Sequence, residues 1–473
     1  MSTSNPGLDS QQADTPLSGV GAALPSAHFQ GQSSRPAAVL APATAGPYVV
    51  QLDLELEPFL ARCAALFDAR SLPFHAPWWL RAWYTTFGCS QGRTPLLVCV
   101  QHRSSGRDAM LLPLVARRHR GLRLVEFADA GVVDYVAPLM APDWHGALPP
   151  AVAGKAVWQA LRAALRGHDV LQVHKLLPQL MAEAGSAVNP LADVLHTQPC
   201  AMFGNQFSVE TAAPEGRVGA ESAGRGGAAA PGQEPQDAAS ARWEAWRRTL
   251  DKRTRKEIER CWRVFHRSAQ AHFEHVTDSG QALALFETLE QQQSQRMREL
   301  LTPYLLDAPE CRAFYRKAIK GGLASDAGPA QVVLTALRDG EHVVSVLFGL
   351  ANGHRYLGLR QSLGGEAWKA CSPARLLDEQ TARHLHRSGR QHFDFGIGDY
   401  HHKQALNMQA ITLLDACAAL SWRGCPWLLA WRARHWLKRQ AWFITVKAVW
   451  RRLAARSSHK PAAQTLAGGA PPP

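Results

Sequence analysis

Apolar residues recur along three consecutive stretches in the second part of the chain, Gln331–Leu337, Val343–Leu350 and His354–Arg360. β-branched and aromatic side chains are frequent in these stretches, and such residues favour strands. The turn-forming pairs Asp339-Gly340 and Asn352-Gly353 separate the stretches from one another. The pattern therefore predicts three strands joined by short turns.

The first part of the chain has shorter runs of this kind between segments with helical periodicity. We expect strands at Pro95–Val100, Met110–Val115 and Leu122–Phe127. We expect helices at Leu54–Asp68, from Trp78 onward after the breaker Pro77, and at Ala151–Arg166. This block therefore combines strands with helices.

A longer helical pattern opens the second block. Apolar residues from Trp243 to Phe265 recur at spacings of three and four or their multiples, which predicts one long helix with a single buried face. Further helices are expected at Gln281–Leu301, Glu310–Lys320 and Ser372–Ser388, and a short strand at Gln391–Phe395. Since both blocks mix the two kinds of element, we predict an α/β or α+β fold with mixed sheets covered by helices.

Low-complexity segments separate these blocks from each other and from the ends. Such segments are rich in Ser, Pro, Gly and Ala and contain too few large apolar groups to offset the entropy of ordering. The predicted organisation is a disordered leader (1–47), a first half (48–214), a low-complexity linker (215–240), a second half (241–420), a basic Trp-rich helical tail (421–457) and a disordered end (458–473).

The net charge of +13 over 473 residues is concentrated near the end of the chain. After Asp415 there is no acidic residue, while ten Arg and Lys side chains follow it, so the rest of the chain carries only +3. The segment 422–456 also contains six of the 15 tryptophans. Indoles with cations are typical of an interfacial segment on an anionic membrane. Docking of the tail on the protein's own body is the alternative.

Nine cysteines without a C-x-x-C pair form neither a disulfide ladder nor a zinc framework. The chain lacks a secretory signal pattern and an apolar run long enough for a spanning helix. We therefore expect a cytoplasmic protein, with peripheral attachment at the inner face of the membrane. No standard peptidase, serine hydrolase, P-loop or dinucleotide motif occurs, and the pair His401-His402 lacks partners at metal-ligand spacing, so we predict no metal site.

The segment from Tyr356 to Lys403 holds the most informative pattern. A strand ends at Arg360, a Gly-containing loop follows, and Ser372 is predicted to cap a helix that has Pro373 at its first position. A loop before a helix start offers free backbone N–H groups and a positive dipole end to a phosphate or pyrophosphate. Arg360, Lys369 and Arg375 could add charge there, although an ordinary strand, loop and capped helix explains the same spacing.

The same segment resembles the acetyltransferase domain of the CelD/BcsL group, GNAT-like proteins linked to cellulose and exopolysaccharide biosynthesis. The resemblance rests on the Ser-Pro helix start with Leu376 and Leu377, the F-D-F-G strand at Phe393–Gly396, and Tyr400 with Lys403. It extends upstream through the basic helix at Arg247–Arg267 and the F-Y-R segment at 314–316, and into the first half through 74–88, 112–114, Asp134-Tyr135 and 138–139.

The resemblance implies two GNAT-like halves and transfer of an acyl group from a thioester, usually acetyl-CoA or another acyl-CoA used as co-substrate rather than as a bound cofactor. Gln361 and Gly364 fit the family's pyrophosphate pattern, but Glu366 stands where Gly or Ala is usual. The implied donor-binding residues are Arg360, Gln361, Gly364, Ser372 and Arg375. The acceptor would be a sugar, a glycolipid or an amino compound.

Acyl transfer needs a base for the acceptor and an acid for the leaving group. Asp394, Asp134 and His401 are the candidate bases, and Tyr400 or Tyr135 the candidate acid. In the resembling family Asp134 and Tyr135 would face the cleft between the halves, so we place them, with Lys403, on the acceptor side.

Two alternatives stay open. The two-halved fold also resembles the FemABX enzymes, whose donor is aminoacyl-tRNA, and the basic run at Arg242–Arg267 would then contact tRNA. No other nucleic-acid partner is expected. The chain could instead be a non-catalytic adaptor of a membrane-associated synthase complex.

Overall fold

A computed structural model describes residues 46–209, except 54, 91, 183 and 184, and residues 236–440, except 303, 325 and 399–405. Its strands are β1 (Tyr48–Asp53), β2 (Arg93–His102), β3 (Asp108–His119), β4 (Leu122–Phe127), β5 (Leu139–Met140), β6 (Val170–Leu176), β7 (Gln179–Ala182), β8 (Gly185–Val188), β9 (His196–Ser208), β10 (Ala271–Val276), β11 (Ala330–Asp339), β12 (His342–Asn352), β13 (Arg355–Leu363), β14 (His392–Ile397) and β15 (Gln409–Ala419). Its α-helices are α1 (Leu56–Leu66), α2 (Pro77–Phe87), α3 (Pro150–Ala164), α4 (Pro190–Val194), α5 (Gln236–Thr249), α6 (Lys252–Phe265), α7 (Ser279–Glu299), α8 (Pro309–Gly322), α9 (Pro373–Arg387) and α10 (Cys425–Arg439).

One mixed sheet runs through the described part of the chain in the order β1-β2-β3-β4-β6-β15-β9-β14-β13-β12-β11-β10, and β5 pairs with β3. Each half follows the same plan: an antiparallel run of four strands, a helix, and then a strand that pairs in parallel with the fourth. That last strand is β6 after α3 in the first half and β14 after α9 in the second. The α/β fold class predicted from the sequence is confirmed.

Two strands join the halves by exchange. β9 leaves the first half and pairs antiparallel with β14, while β15 returns from the second half and lies between β6 and β9. Each crossing strand therefore pairs with strands that come from the opposite half, which fixes the two halves in one sheet.

Helices cover both faces of the sheet. On one face α1, α2, α3, α7 and α8 pack on the largest core, where α2 and α8 meet through Trp79 and Phe314 with ring centroids 4.8 Å apart. On the other face α5, α6 and α9 cover the second half, and α10 covers strands β4, β6 and β15 of the first half. None of the described helices is long and apolar enough to cross a membrane.

The prediction of one long helix over 243–265 is wrong in one respect, because this segment forms two helices. α5 ends at Thr249 and α6 begins at Lys252, and the Asp251 carboxylate between them accepts hydrogen bonds from the backbone N–H groups of Arg253 and Thr254 at 2.8 and 2.9 Å. An Asp at this position satisfies the free donors of a new helix and so favours a fresh start over continuation. The apolar spacing hides the break, since both helices bury the same face.

Candidate active site

The parallel strands β13 and β14 pair at one end and separate at the other. Within these two described strands, the pairing joins residues 355–357 of β13 to residues 392–394 of β14 and ends there. Beyond them the β12–β13 register shifts between Phe348 and Gly349, which adds one residue to β13, and a bulge of this kind bends a strand. We call the resulting gap, between 358–363 of β13 and 395–397 of β14, the strand opening.

Asp394 lies where the strand opening begins. Its Oδ1 accepts hydrogen bonds from the Tyr135 hydroxyl and from the Gly396 backbone N–H, both at 2.8 Å. Its Oδ2 is buried and has no hydrogen-bond partner within the described part of the chain. Burial raises the pKa of Asp394 from 3.8 to about 6, although the bond from Tyr135 opposes the rise. A carboxyl of this kind exchanges a proton close to neutral pH.

The loop after β4 brings first-half residues to this carboxyl. Burial raises the pKa of Tyr135 well above its ordinary value, so the hydroxyl stays protonated and donates to Asp394. The neighbouring Asp134 accepts a hydrogen bond from the Ile397 backbone N–H at 3.2 Å through Oδ2. Asp134, Tyr135 and Asp394 therefore come together from sequence positions about 260 residues apart, at the junction of the halves.

Close approach at this junction depends on small residues. A side chain on Gly204 of β9 would collide with the Tyr135 hydroxyl, and one on Gly396 would collide with the Asp134 carboxylate. Asn205 holds the end of β14 by donating from Nδ2 to the carbonyls of Gly396 and Gly398, at 3.0 and 2.8 Å. The sequence analysis missed Gly204 and Asn205, and no recognised motif surrounds them.

Arg360 lies on the Asp134 side of β13. Its Nε donates to the Tyr315 hydroxyl at 3.0 Å and its Nη2 to the Gly131 carbonyl at 3.3 Å. Burial alone would lower the pKa of Arg360, but nearby Tyr315 and Asp134 outweigh it and raise the pKa. The guanidinium thus links the second half to the loop that carries Asp134.

The loop and helix after β13 hold the other predicted donor residues. Gln361 donates from Nε2 to the Ala374 carbonyl and the Asp378 carboxylate at 2.9 and 2.8 Å, which ties β13 to α9. The Gly364 N–H donates to the Val344 carbonyl at 2.8 Å and so stays with the sheet. Arg375 lies in the first turn of α9. The pKa of nearby Glu257 is lowered mainly by its hydrogen bond from Arg260, and the Arg375 guanidinium lowers it further.

The prediction that Ser372 caps α9 is wrong for its side chain. Ser372 stands at the N-cap position, but its backbone is left-handed, with φ 48° and ψ 59°, and its hydroxyl caps none of the first backbone N–H groups. A normal cap needs an extended backbone to turn the side chain toward those donors. The start of α9 therefore keeps N–H groups that a bound anion could use.

Glu366, which departs from the family pattern, points away from this loop. Its side chain is 85% exposed and pairs with Lys369 at 3.0 Å. On the other side, Arg260 of α6 donates from Nη2 to the Ala370 carbonyl at 3.2 Å. A shallow groove of about 580 Å³ runs along α6 beside this contact and is lined by Lys252, Arg253, Lys256, Glu257, Arg260 and Arg263. Cations thus flank the loop that precedes α9.

Three predicted site residues, Tyr400, His401 and Lys403, lie outside the described residues. Among the residues that the structure does describe, no group of three His, Cys, Asp or Glu side chains could hold a metal ion.

Comparisons with known proteins find one family match and several similar solved structures. Residues 252–404 match the family described as "Acetyltransferase (GNAT) domain". No curated protein matches the chain. Similar solved structures include the C-terminal domain of a putative lysylphosphatidylglycerol synthetase from Agrobacterium fabrum (10% identity, 78% of this chain and 93% of that one, TM-score 0.44) and FemX (9%, 77% and 96%, 0.47). A tandem GNAT protein from the clavulanic acid biosynthesis pathway is also similar (12%, 77% and 95%, 0.37). The similarity to the acetyltransferase family is confined to residues 252–404 of this chain.

Proposed function

We propose that the protein transfers an acyl group from acyl-CoA, with acetyl as the simplest case, to a hydroxyl or amine of an acceptor held between the two halves. The position of Asp394 carries this proposal. It is a buried carboxyl with a raised pKa at the start of the strand opening, inside the acetyltransferase domain and in contact with the first half.

The second half offers a place for the phosphates of CoA. The start of α9 has uncapped N–H groups, and the exposed cations of α6 flank the preceding loop. Glu366 does not block the loop, since its carboxylate is turned to solvent beside Lys369. Backbone donors at a helix start and nearby cations are what a pyrophosphate requires. The pantetheine arm would then lie along the strand opening.

Asp394 would act as the base. A buried oxygen without a hydrogen bond, such as Asp394 Oδ2, lowers the stability of the fold. A hydrogen bond from the O–H or N–H of the acceptor would remove this penalty. Asp394 takes the acceptor proton while the acceptor lone pair attacks the thioester carbonyl carbon, and the C–S bond breaks to release the CoA thiolate. The thiolate takes up a proton from solvent, and Asp394 later releases its proton to solvent, so the reaction neither gains nor loses a proton.

The resemblance of the site segments to the CelD/BcsL group supports a sugar or glycolipid acceptor in polysaccharide or cell-envelope biosynthesis. Hydroxyl and amine acceptors use the same base, so the chemistry derived from Asp394 is common to both.

The experiment combines titration calorimetry with CoA and a thiol-release assay with acetyl-CoA and a panel of mono- and oligosaccharides. We expect CoA to bind and acceptor-dependent release of CoA thiol that Asp394→Asn reduces by about 100-fold or more. Asp278→Asn is the matched control, because Asp278 caps α7 and Asn caps equally well.

Other outcomes contradict the proposal. Transfer from aminoacyl-tRNA without CoA binding would favour the FemABX-like reaction. Absence of any transfer, with a cellular phenotype that Asp394→Asn leaves intact, would favour the adaptor.

A further inference from the structure

α10 presents one face to the protein and another to solvent. On the inner face Trp431 is buried against β4, β6 and β15, and the Trp427 indole N–H donates to Gln172 Oε1 at 3.2 Å. The turn before the helix is fixed by Asp169, whose Oδ1 accepts from the Ser421 hydroxyl at 2.6 Å. A side chain on Gly424 would collide with the Asp169 carbonyl, so the approach is close. α10 therefore has a set orientation on the body.

The solvent face of α10 and its preceding turn carries an apolar stripe. Its members are spaced by four, three, four and three residues and are all exposed; we call Trp422, Pro426, Leu429, Ala433 and Trp436 the outer stripe. The three large side chains, Trp422, Leu429 and Trp436, are 82%, 64% and 61% exposed. This spacing repeats on one side of a helix, so the stripe is a continuous line about 20 Å long. Exposed tryptophans in such a line mark an interaction surface.

Cations border the outer stripe on both sides. On a helical wheel Arg432 lies at one edge, and Arg423 and Arg434 lie at the other. All three side chains are exposed, and Arg423 donates to the Gly121 carbonyl at 2.8 Å. Long Arg side chains can lie beside apolar groups and still reach charged partners. The occupant of the stripe must therefore accept indole and leucine while meeting several cations.

The charges of the chain argue against two possible occupants. A second copy packed stripe to stripe would place the same arginines against one another, which like charges disfavour. The segment 441–473 carries Lys447, Arg451, Arg452, Arg456 and Lys460 without an acidic residue, so it would add cations to cations. An anionic lipid surface offers the opposite charge and an apolar layer at headgroup depth, where indoles are favoured.

We propose that the outer stripe of α10 binds the surface of an anionic membrane, with Trp422, Leu429 and Trp436 inserted among the headgroups and Arg423, Arg432 and Arg434 on the lipid phosphates. α10 then lies in the membrane plane while its inner face stays on the protein. This surface lies on the sheet face opposite the largest core, so membrane contact leaves the α2 and α8 side free.

The test measures flotation of the full chain with vesicles of phosphatidylglycerol and phosphatidylcholine (1:1) and with pure phosphatidylcholine vesicles. We expect binding to the anionic vesicles that falls steeply with salt. Trp422→Ser, Leu429→Ser and Trp436→Ser together should weaken binding by tenfold or more. The matched control is Val152→Ser with Leu301→Ser, which removes exposed apolar side chains elsewhere. Circular dichroism should show all variants folded, since every changed side chain is exposed.

Two double variants distinguish binding of lipid by α10 from an effect of the protein's net charge. Arg432→Glu with Arg434→Glu should weaken anionic binding by about fivefold for each arginine and flatten its salt dependence. Lys155→Glu with Lys320→Glu changes the net charge equally at exposed positions away from α10 and should have little effect. An environment-sensitive dye on the exposed Cys425 should shift to the blue on anionic vesicles, whereas the same dye on the exposed Cys89 should not.

Three results would overturn the proposal. One is equal binding to anionic and neutral vesicles or none, and another is equal loss in the stripe variant and its control. The third is concentration-dependent dimerisation that the stripe variant abolishes, which would assign the stripe to a second copy.

Discussion

The two halves build the same pair of parallel strands and use it differently. In the second half β13 and β14 separate beyond Leu357 and Asp394 and leave the strand opening. In the first half β4 and β6 pair only over Leu124–Val125 and Val170–Leu171, so they too diverge. There the chain itself fills the gap: Val136 forms a parallel bridge with Leu176 and exchanges hydrogen bonds of 3.0 Å with the backbone of β6 and Leu177.

The segment that fills this gap also links the two halves. It is anchored by Lys175, whose Nζ bonds to Asp129 at 2.8 Å and to the Val133 carbonyl. The same segment carries Asp134 and Tyr135 to the strand opening of the second half. The first half has therefore closed its own opening and supplies side chains to the second half, whose strand opening is where we propose that the donor binds.

The largest effect is expected at the carboxyl that joins the halves. Asp394→Asn removes the proposed base and should lower acyl transfer by about 100-fold or more while CoA binding changes little. Rate and calorimetry measured on one preparation check both parts. A comparable loss of CoA binding would show that Asp394 supports the donor site and not the acceptor.

The raised pKa of Asp394 predicts opposite pH trends for activity and stability. The folded pKa, about 6, exceeds the ordinary 3.8, so the contribution to folding is full below about 4 and is lost as pH rises through about 6. The change amounts to roughly 3 kcal/mol. Activity should rise over the same interval, because the base must be ionised. Urea unfolding and rates between pH 4 and 8 test this, and both trends should flatten in Asp394→Asn.

The bond between the halves should have a smaller, distinct effect. Tyr135→Phe removes a donor to the buried Asp394 and should reduce the free energy of unfolding by about 1–3 kcal/mol. Because this bond lowers the pKa of Asp394, its loss should move the pH–activity rise to higher pH. Tyr84→Phe is the control, since Tyr84 donates to the Leu114 carbonyl within the first half. An unmoved pH profile in Tyr135→Phe would contradict the coupling.

The sequence predicts the strands and helices with strong local patterns, and β4 matches its predicted bounds, Leu122–Phe127. The sequence did not predict β6, nor the two strands that join the halves, β9 and β15. β9 carries polar and small residues, such as Gly204 and Asn205, and is stabilised by pairing with β14 and β15 from the second half, so its local pattern is weak. A crossing strand depends on pairing that the sequence does not reveal.

The site was predictable in its parts. Asp394 and Asp134 were predicted because they lie in segments that resemble family motifs, but only folding brings Asp134 to β14. The role of Arg360 at the donor phosphates stays a prediction, and its contacts with the Tyr315 hydroxyl and the Gly131 carbonyl could not be foreseen because folding alone brings these groups to β13. The left-handed Ser372 has no signature in a Ser-Pro pair that also suits an ordinary cap.

Titration calorimetry with CoA tests directly whether a donor binds in the second half alone. Arg260→Glu, in the cation groove of α6, should weaken binding by up to about tenfold, and Lys155→Glu, on α3 of the first half, should leave it unchanged. We expect one CoA to bind per chain, with weakening by Arg260→Glu only. Absence of CoA binding, two sites per chain, or equal weakening by both substitutions would contradict it.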